Sequence, residues 1–165
     1  MENNRLSQQQ LYELYAPKMF IVCRRYANTK AEAEDMLMEG FMNIFKGLGS
    51  FRGASRFETW IHSVMVNTAI SHFRSERRFR NELLTGDMME DALFMEDEKI
   101  TTALDAKQVL TLLEQMPEIM RMVFNLKAVE GFSFTEISEK LDKNENAIRI
   151  CYMRARNWLK ERIGQ

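Results

Sequence analysis

Apolar side chains in this chain recur mainly at three- and four-residue spacing, the signature of helices with one buried face. Residues 8–26 form the first such stretch, with Leu11, Leu14, Tyr15, Val22 and Tyr26 in phase. Pro17 falls inside it and predicts a kink or a restart, because proline lacks the N–H that the helix ladder needs. Residues 28–29 read as a turn, with Thr29 as the N-cap of a second helix. That helix, residues 30–48, has the cleanest pattern. Ala33, Met36, Leu37, Gly40, Phe41, Ile44, Phe45 and Leu48 make one apolar stripe, and Gly47 and Gly49 end it. A third helix begins near Phe57.

Residues 81–107 break the pattern. Glu82, Asp87, Glu90, Asp91, Glu96, Asp97, Glu98 and Asp105 crowd the segment, and its apolar residues keep no period. Such a stretch buries too little apolar surface to fold alone and reads as a tether. Helical spacing then resumes. Val109, Leu110, Leu112 and Leu113 start a helix that stops before Pro117, which suits the first position of the next. Gly131 ends that element, and Ser133-Phe134-Thr135-Glu136 is a capping box by type and spacing. A short helix burying Ile137 and Leu141 follows, then the turn at residues 142–144, then a last helix capped by Asn144. The expected fold is all-α: two small helical domains, residues 1–81 and 108–165, joined by an acidic linker, residues 82–107.

Two stretches carry chemistry beyond packing. In residues 50–80, the aromatics Phe51, Phe57, Trp60, Phe73 and Phe79 alternate with Arg52, Arg56, Arg74, Arg77, Arg78 and Arg80. An unstacked base needs a flat apolar partner and its phosphate needs a cation, and both are offered here. Trp60, Val64, Asn67, Ser71, Arg74 and Arg78 fall on one helical stripe; read blandly, Trp60 and Val64 are core and the arginines a solvated end. In the last helix, Ile148, Cys151, Tyr152, Ala155 and Leu159 point one way. Arg149, Met153, Arg156 and Lys160 point another, with Ile150 and Arg154 beside them. A capped short helix, a tight turn and a helix with a basic outer face make a helix-turn-helix, whose second helix enters the major groove.

Composition narrows the function. The 165 residues carry 23 basic and 24 acidic side chains, so no global basicity advertises nucleic acid; the asymmetry along the chain does. Cys23 and Cys151 stand far apart without a CxxC neighbour, which fits a reducing compartment rather than a disulfide framework or zinc site. The polar start and the lack of a long apolar run predict a cytoplasmic protein without membrane insertion. His62 and His72 have no carboxylate or nucleophile at a telling spacing. No phosphate-binding loop, triad or metal-ligand cluster is expected, nor any cofactor or enzymatic activity.

Residues 50–53, 59–61, 66–69 and 74–78 resemble region two of bacterial sigma factors of the extracytoplasmic-function type. Leu113-x-x-Met116-Pro117, the run from Gly131 to Ser138, and Ala147-Ile148-Arg149 with Arg154-Ala155-Arg156 resemble region four of the same family. The resemblance implies a promoter-recognition subunit of RNA polymerase. Phe51, Arg52, Ser55, Trp60, Asn67, Ser71, Arg74, Arg77 and Arg78 would then serve melted minus-ten DNA. Arg149, Ile150, Met153 and Arg154 would face the minus-thirty-five groove, with Arg156 near phosphate. Asp35 and Glu39 would meet the core polymerase. On pattern alone Met38 and Met42 widen the core stripe; beside those carboxylates they read as a docking surface. Ala54 and Ser71 stand where the family often has acidic residues, Met38 where Gln is usual, and Cys151 where Arg is frequent, implying one phosphate contact fewer. Implied partners are core polymerase, promoter DNA and an anti-sigma factor. The competing reading, a stand-alone helix-turn-helix regulator, explains residues 133–156 but leaves residues 50–80 idle.

Overall fold

The computed structural model describes residues 2–80 and 106–164, and every regular element among them is helical. The acidic segment at residues 82–105 lies outside the described residues, as do the side chains of Arg77 and Arg78. The chain divides into two compact units, Met1–Ser75 and Glu76–Gln165.

In the first unit, α1 (Glu2–Tyr26) packs on α2 (Lys30–Gly47), and α3 (Phe57–Arg80) follows. Thr29 caps α2 as expected, its side chain accepting from the Glu32 N–H at 3.1 Å. Ala33, Met36, Leu37, Gly40, Phe41 and Ile44 are buried, as the stripe predicts. A Cβ on Gly40 would run into the thioether of Met65 on α3, so any side chain there would have to push that buried methionine aside.

α1 departs from expectation twice. It runs unbroken through Pro17. An interior proline costs about 3 kcal/mol in a helix, so tertiary packing must offset it, and Ala16, Met19, Val22, Cys23 and Tyr26 are all buried around it. Leu14, expected in the core, is 67% exposed. The buried line runs through residues 16, 19, 23 and 26. Position 14 sits about 200° around the helix from 16, at about 100° per residue. α1 thus buries Ala16 and leaves the larger Leu14 in water. Burial pushes the Cys23 thiol up to about 12, so it behaves as a small apolar side chain rather than a nucleophile.

In the second unit, α4 (Ala106–Gln115) leads through Pro117 to α5 (Glu118–Phe124). Pro117 takes the N-cap, one residue earlier than expected. α5 runs into a widened turn at Asn125–Val129, closed by the Glu130 N–H on the Asn125 carbonyl at 3.0 Å. Gly131, at φ +78°, reverses the chain, and the Phe132 N–H returns to the Leu126 carbonyl at 3.0 Å. α6 (Phe134–Leu141) and α7 (Glu145–Ile163) complete the unit. Leu113 and Met116 meet Ala155 and Leu159 in its core.

Arg121 was not anticipated. It is 1% exposed, and its Nη1 donates to the carbonyls of Leu113 at 3.2 Å and of Glu114 and Met116 at 3.4 Å. These carbonyls lie where α4 ends, and that of Leu113 also accepts from the Met116 N–H at 3.1 Å.

Candidate nucleic-acid interface

The loop after α2 is built by local chemistry. A tight turn at Leu48–Ser50 follows Gly47, and the Ser50 hydroxyl donates to the Gly47 carbonyl at 2.8 Å. Gly53 takes φ +73°, a conformation that favours glycine. Arg52, Ala54, Ser55 and Arg56 are exposed, and α3 begins when the Trp60 N–H reaches the Arg56 carbonyl at 3.1 Å.

Three rings converge where the loop meets α3. Phe51 lies 5.4 Å from Phe57 and 5.2 Å from Trp60, and Phe57 stacks on Trp60 at 5.8 Å with planes 25° apart. All three are half-buried. Trp60 also lies over Gly47: a Cβ there would fall 2.9 Å from the indole edge. The rings are therefore braced by each other and by the end of α2 while keeping part of their surface in solvent. Phe73 differs. At 3% exposed it belongs to the core, and it leaves the set of base-accessible aromatics.

Along α3, Asn67 and Ser71 are exposed, and Val64 and Arg74 half-buried. Thr68 faces inward, donating to the Val64 carbonyl at 2.8 Å and accepting from Asn43 of α2 at 3.1 Å. The stripe thus runs from braced aromatics through an exposed amide and hydroxyl to a cation, while the adjacent face is core.

On α2, Asp35 and Glu39 are exposed, and Met38 and Met42 are 63% and 55% exposed. The two methionines do not widen the core stripe. They stand beside the carboxylates as an apolar patch. Beyond Glu76, four residues on in the same helix, His72 finds acidic partners on α2, with Glu32 Oε1 3.3 Å from Nε2 and Glu39 Oε2 3.9 Å from Nδ1. No local spacing could have shown these pairs, which span more than thirty positions.

The second unit contains the expected helix-turn-helix. Ser133 caps α6 with both halves of the capping box made, Glu136 N–H to Ser133 Oγ at 3.1 Å and Ser133 N–H to Glu136 Oε2 at 2.7 Å. Those bonds hold the Glu136 carboxyl below its usual range. Asp142 makes the turn in the left-handed region at φ 52°, which Asp tolerates better than most residues. Asn144 caps α7 through its side chain on the Asn146 N–H at 2.9 Å.

On α7, Ile148, Cys151, Ala155 and Leu159 are buried. Cys151 therefore occupies a core position, and an arginine there would point away from any phosphate on the outer face. The opposite face carries Arg149, Ile150, Met153 and Arg156, all half-buried, and Arg154, exposed. They span about 160° of the helix surface at 100° per residue. Arg149 lies over the Phe134 ring at 4.6 Å, and Arg156 over Tyr152 at 5.9 Å. Arg149 also grips Glu145, with Nη2 at 2.7 Å and Nε at 3.2 Å from Oε1. Periodicity placed this arginine on the outer face but could not show what holds it.

Comparison with known proteins agrees with this geometry. The family model for Sigma-70 region 2 matches residues 11–79, and that for Sigma-70 region 4 matches residues 106–159. The chain is 27% identical to the ECF RNA polymerase sigma-E factor of Haemophilus influenzae over 163 residues, covering 93% of this chain and 85% of that protein. It is 28% identical to the RNA polymerase sigma-H factor of Pseudomonas aeruginosa over 154 residues, covering 86% and 78%. Among solved structures, the sigma factor RpoE from Bartonella quintana, crystallised with the anti-sigma factor NepR, shares the fold. Its TM-score is 0.52 at 22% identity, covering 93% of this chain and 94% of that one. A regulator built on the helix-turn-helix alone leaves the first matched region without a role. The chain belongs to the sigma-70 family, with region 2 in its first unit and region 4 in its second, and its relatives place it among the extracytoplasmic-function sigma factors.

Proposed function

We propose that this chain directs bacterial core RNA polymerase to particular promoters and helps to melt them, performing no chemistry itself. The observation that carries the proposal is the braced ring cluster of Phe51, Phe57 and Trp60 beside an exposed loop, in one chain with a helix-turn-helix. The region 2 domain would hold the melted minus-ten strand. Phe51 and Trp60 would stack on bases, Arg52, Ser55, Asn67 and Ser71 would bond to base or backbone, and Arg74, Arg77 and Arg78 would meet phosphate. In the region 4 domain, Arg149, Ile150, Met153 and Arg154 would read the minus-thirty-five duplex, with Arg156 on phosphate.

The domain limits that serve this division are residues 1–81 and 108–165. Of the linker at residues 82–107, the part before α4 would reach roughly 80 Å if extended, at about 3.3–3.6 Å per residue. Two turns of duplex need only about 70 Å. Such a tether lets both domains engage one promoter. The charge of −1 supports dependence on polymerase, since counterion release needs clustered cations and the chain as a whole has none to spare. An anti-sigma partner is proposed from the neighbour crystallised with one. A cytoplasmic location follows from the task; among the described residues no helix is long and apolar enough to cross a membrane.

The deciding experiment adds purified chain to core polymerase and measures run-off transcripts from a random promoter pool. Enrichment of a shared two-part promoter is expected. Transcription no better than core alone, with tight operator binding by the chain itself, would establish the stand-alone regulator instead.

Asp35, Met38, Glu39 and Met42 form the proposed contact with core polymerase. Combining Asp35→Lys with Glu39→Lys is expected to weaken that contact on the order of tenfold, since like charges facing each other across an interface repel. Competition for core against the unmodified chain measures it, with far-UV circular dichroism as the folding check. Undiminished competition would remove α2 from the interface. Arg149→Ala is expected to cost about 1–3 kcal/mol at its cognate upstream base, the worth of a two-point arginine contact. Affinities across single-base variants of the upstream element give the number, and equal affinities would exclude Arg149 as a reader.

A further inference from the structure

The start of α6 and the start of α7 are tied by a short chain of polar contacts. The Thr135 hydroxyl donates to Glu145 Oε2 at 3.0 Å. The other oxygen, Oε1, accepts from Arg149 Nη2 at 2.7 Å and Nε at 3.2 Å. The guanidinium lies 4.6 Å from the Phe134 ring centre, and that ring also carries the Lys127 ammonium at 4.7 Å. Arg149 and Glu145 side chains remain 39% and 38% exposed.

An i,i+4 ion pair this exposed contributes little to stability. Its geometric effect is larger. The carboxylate takes the Nε–Nη2 edge of the guanidinium, and the ring limits its tilt. Those contacts leave the Nη1–Nη2 end, the edge that can bond guanine O6 and N7 together, on a side chain still 39% exposed. A long flexible side chain thereby meets the groove with its orientation already set. The two contacts with Arg149 and Thr135 also hold the Glu145 carboxyl below its usual range, so the pair stays ionised near neutrality.

We infer that Thr135 and Glu145 are positioning residues for upstream recognition, fixing Arg149 on Phe134 so that it discriminates between bases without themselves touching DNA. The inference rests on the proposed role of Arg149 as a groove reader. It separates two quantities that a loose arginine would mix. Base preference depends on the relay, whereas general attraction to phosphate depends only on charge, which Thr135 does not alter.

The test uses holoenzyme assembled from core polymerase and the full chain, binding duplexes that differ at single upstream bases. Thr135→Val is expected to lower the preference for the cognate base by about threefold to tenfold, as expected for side chains sharing one hydrogen-bonded network. The slope of affinity against salt should not change. Thr135→Ser, which keeps the hydroxyl, should restore the preference. In an Arg149→Ala background, Thr135→Val should remove nothing further. Glu145→Gln weakens the same relay from its centre and carries the test if the valine variant folds poorly. If Arg149→Ala flattens the preference while Thr135→Val and Glu145→Gln leave it whole, the positioning role is wrong and the reading of Arg149 stands. If Arg149→Ala itself changes no preference, both fall. A loss from Thr135→Val that persists without Arg149 would also overturn the inference, by showing that Thr135 acts on its own.

Discussion

Arg121→Ala is expected to destabilise the second unit by about 1–3 kcal/mol, the cost of leaving buried carbonyls without their donor. The side chain is 1% exposed, and its Nη1 serves carbonyls of Leu113, Glu114 and Met116. Those groups end α4, where the helix dipole leaves partial negative charge and where Pro117 has no N–H to continue the ladder. The guanidinium satisfies them from the neighbouring helix and so fixes the angle at which α5 leaves α4. Alanine would leave the carbonyls without that donor and open a cavity where a side chain only 1% exposed had stood. A small helical unit has only a few kcal/mol in reserve. Urea unfolding followed by circular dichroism should show the helix-turn-helix melting at a much lower midpoint, with the first unit unaffected. A shift worth under about 1 kcal/mol would mean that other donors or water replace the guanidinium at little cost.

Arg121 also marks where sequence reasoning ended. An arginine reads as solvated even between Met120 and Met122, and nothing within four residues announces three carbonyls packed against it. The same limit applies to Arg149, whose outward face was plain from periodicity but whose grip on Glu145 and Phe134 was not. By contrast, the capping box at Ser133 and Glu136 and the caps at Thr29 and Asn144 were legible because each is complete within a few positions. The α2 stripe was legible for a related reason, being buried along one continuous face.

Where burial is shared among helices, residue type misled. Leu14 is larger and more apolar than Ala16, yet Ala16 is the one that packs. Phe73 belongs with the basic aromatics by neighbourhood and with the core by position. Met38 and Met42 adjoin the apolar stripe of α2, and only the geometry of the folded unit leaves them in solvent. In each case the deciding fact is which side of a helix meets another helix. Periodicity fixes the phase of a stripe to within one or two residues, and one residue is already about 100°.

Trp60→Ala is expected to reduce open-complex formation by about tenfold to a hundredfold, from about 1–3 kcal/mol of lost base stacking, while closed complexes form nearly as before. The asymmetry follows from when the ring is used. In duplex DNA the bases stack on each other, and an indole gains nothing from them; once a strand separates, each unstacked base seeks a flat partner. Trp60 is suited to that step because it is braced before DNA arrives, with Phe57 stacked against it at 5.8 Å, Phe51 at 5.2 Å and Gly47 beneath its edge. Little further ordering is then required at the moment of melting. The same bracing means that alanine also leaves a gap among the rings, so loss of packing must be separated from loss of stacking. Trp60→Phe does this. It keeps a ring for Phe51 and Phe57 to pack on and should retain stability while losing part of the stacking surface. Affinity for a single-stranded minus-ten oligonucleotide in holoenzyme should fall in the order Trp, Phe, Ala, with duplex affinity unchanged. Equal losses on single strand and duplex would show that the ring holds the loop together rather than the DNA.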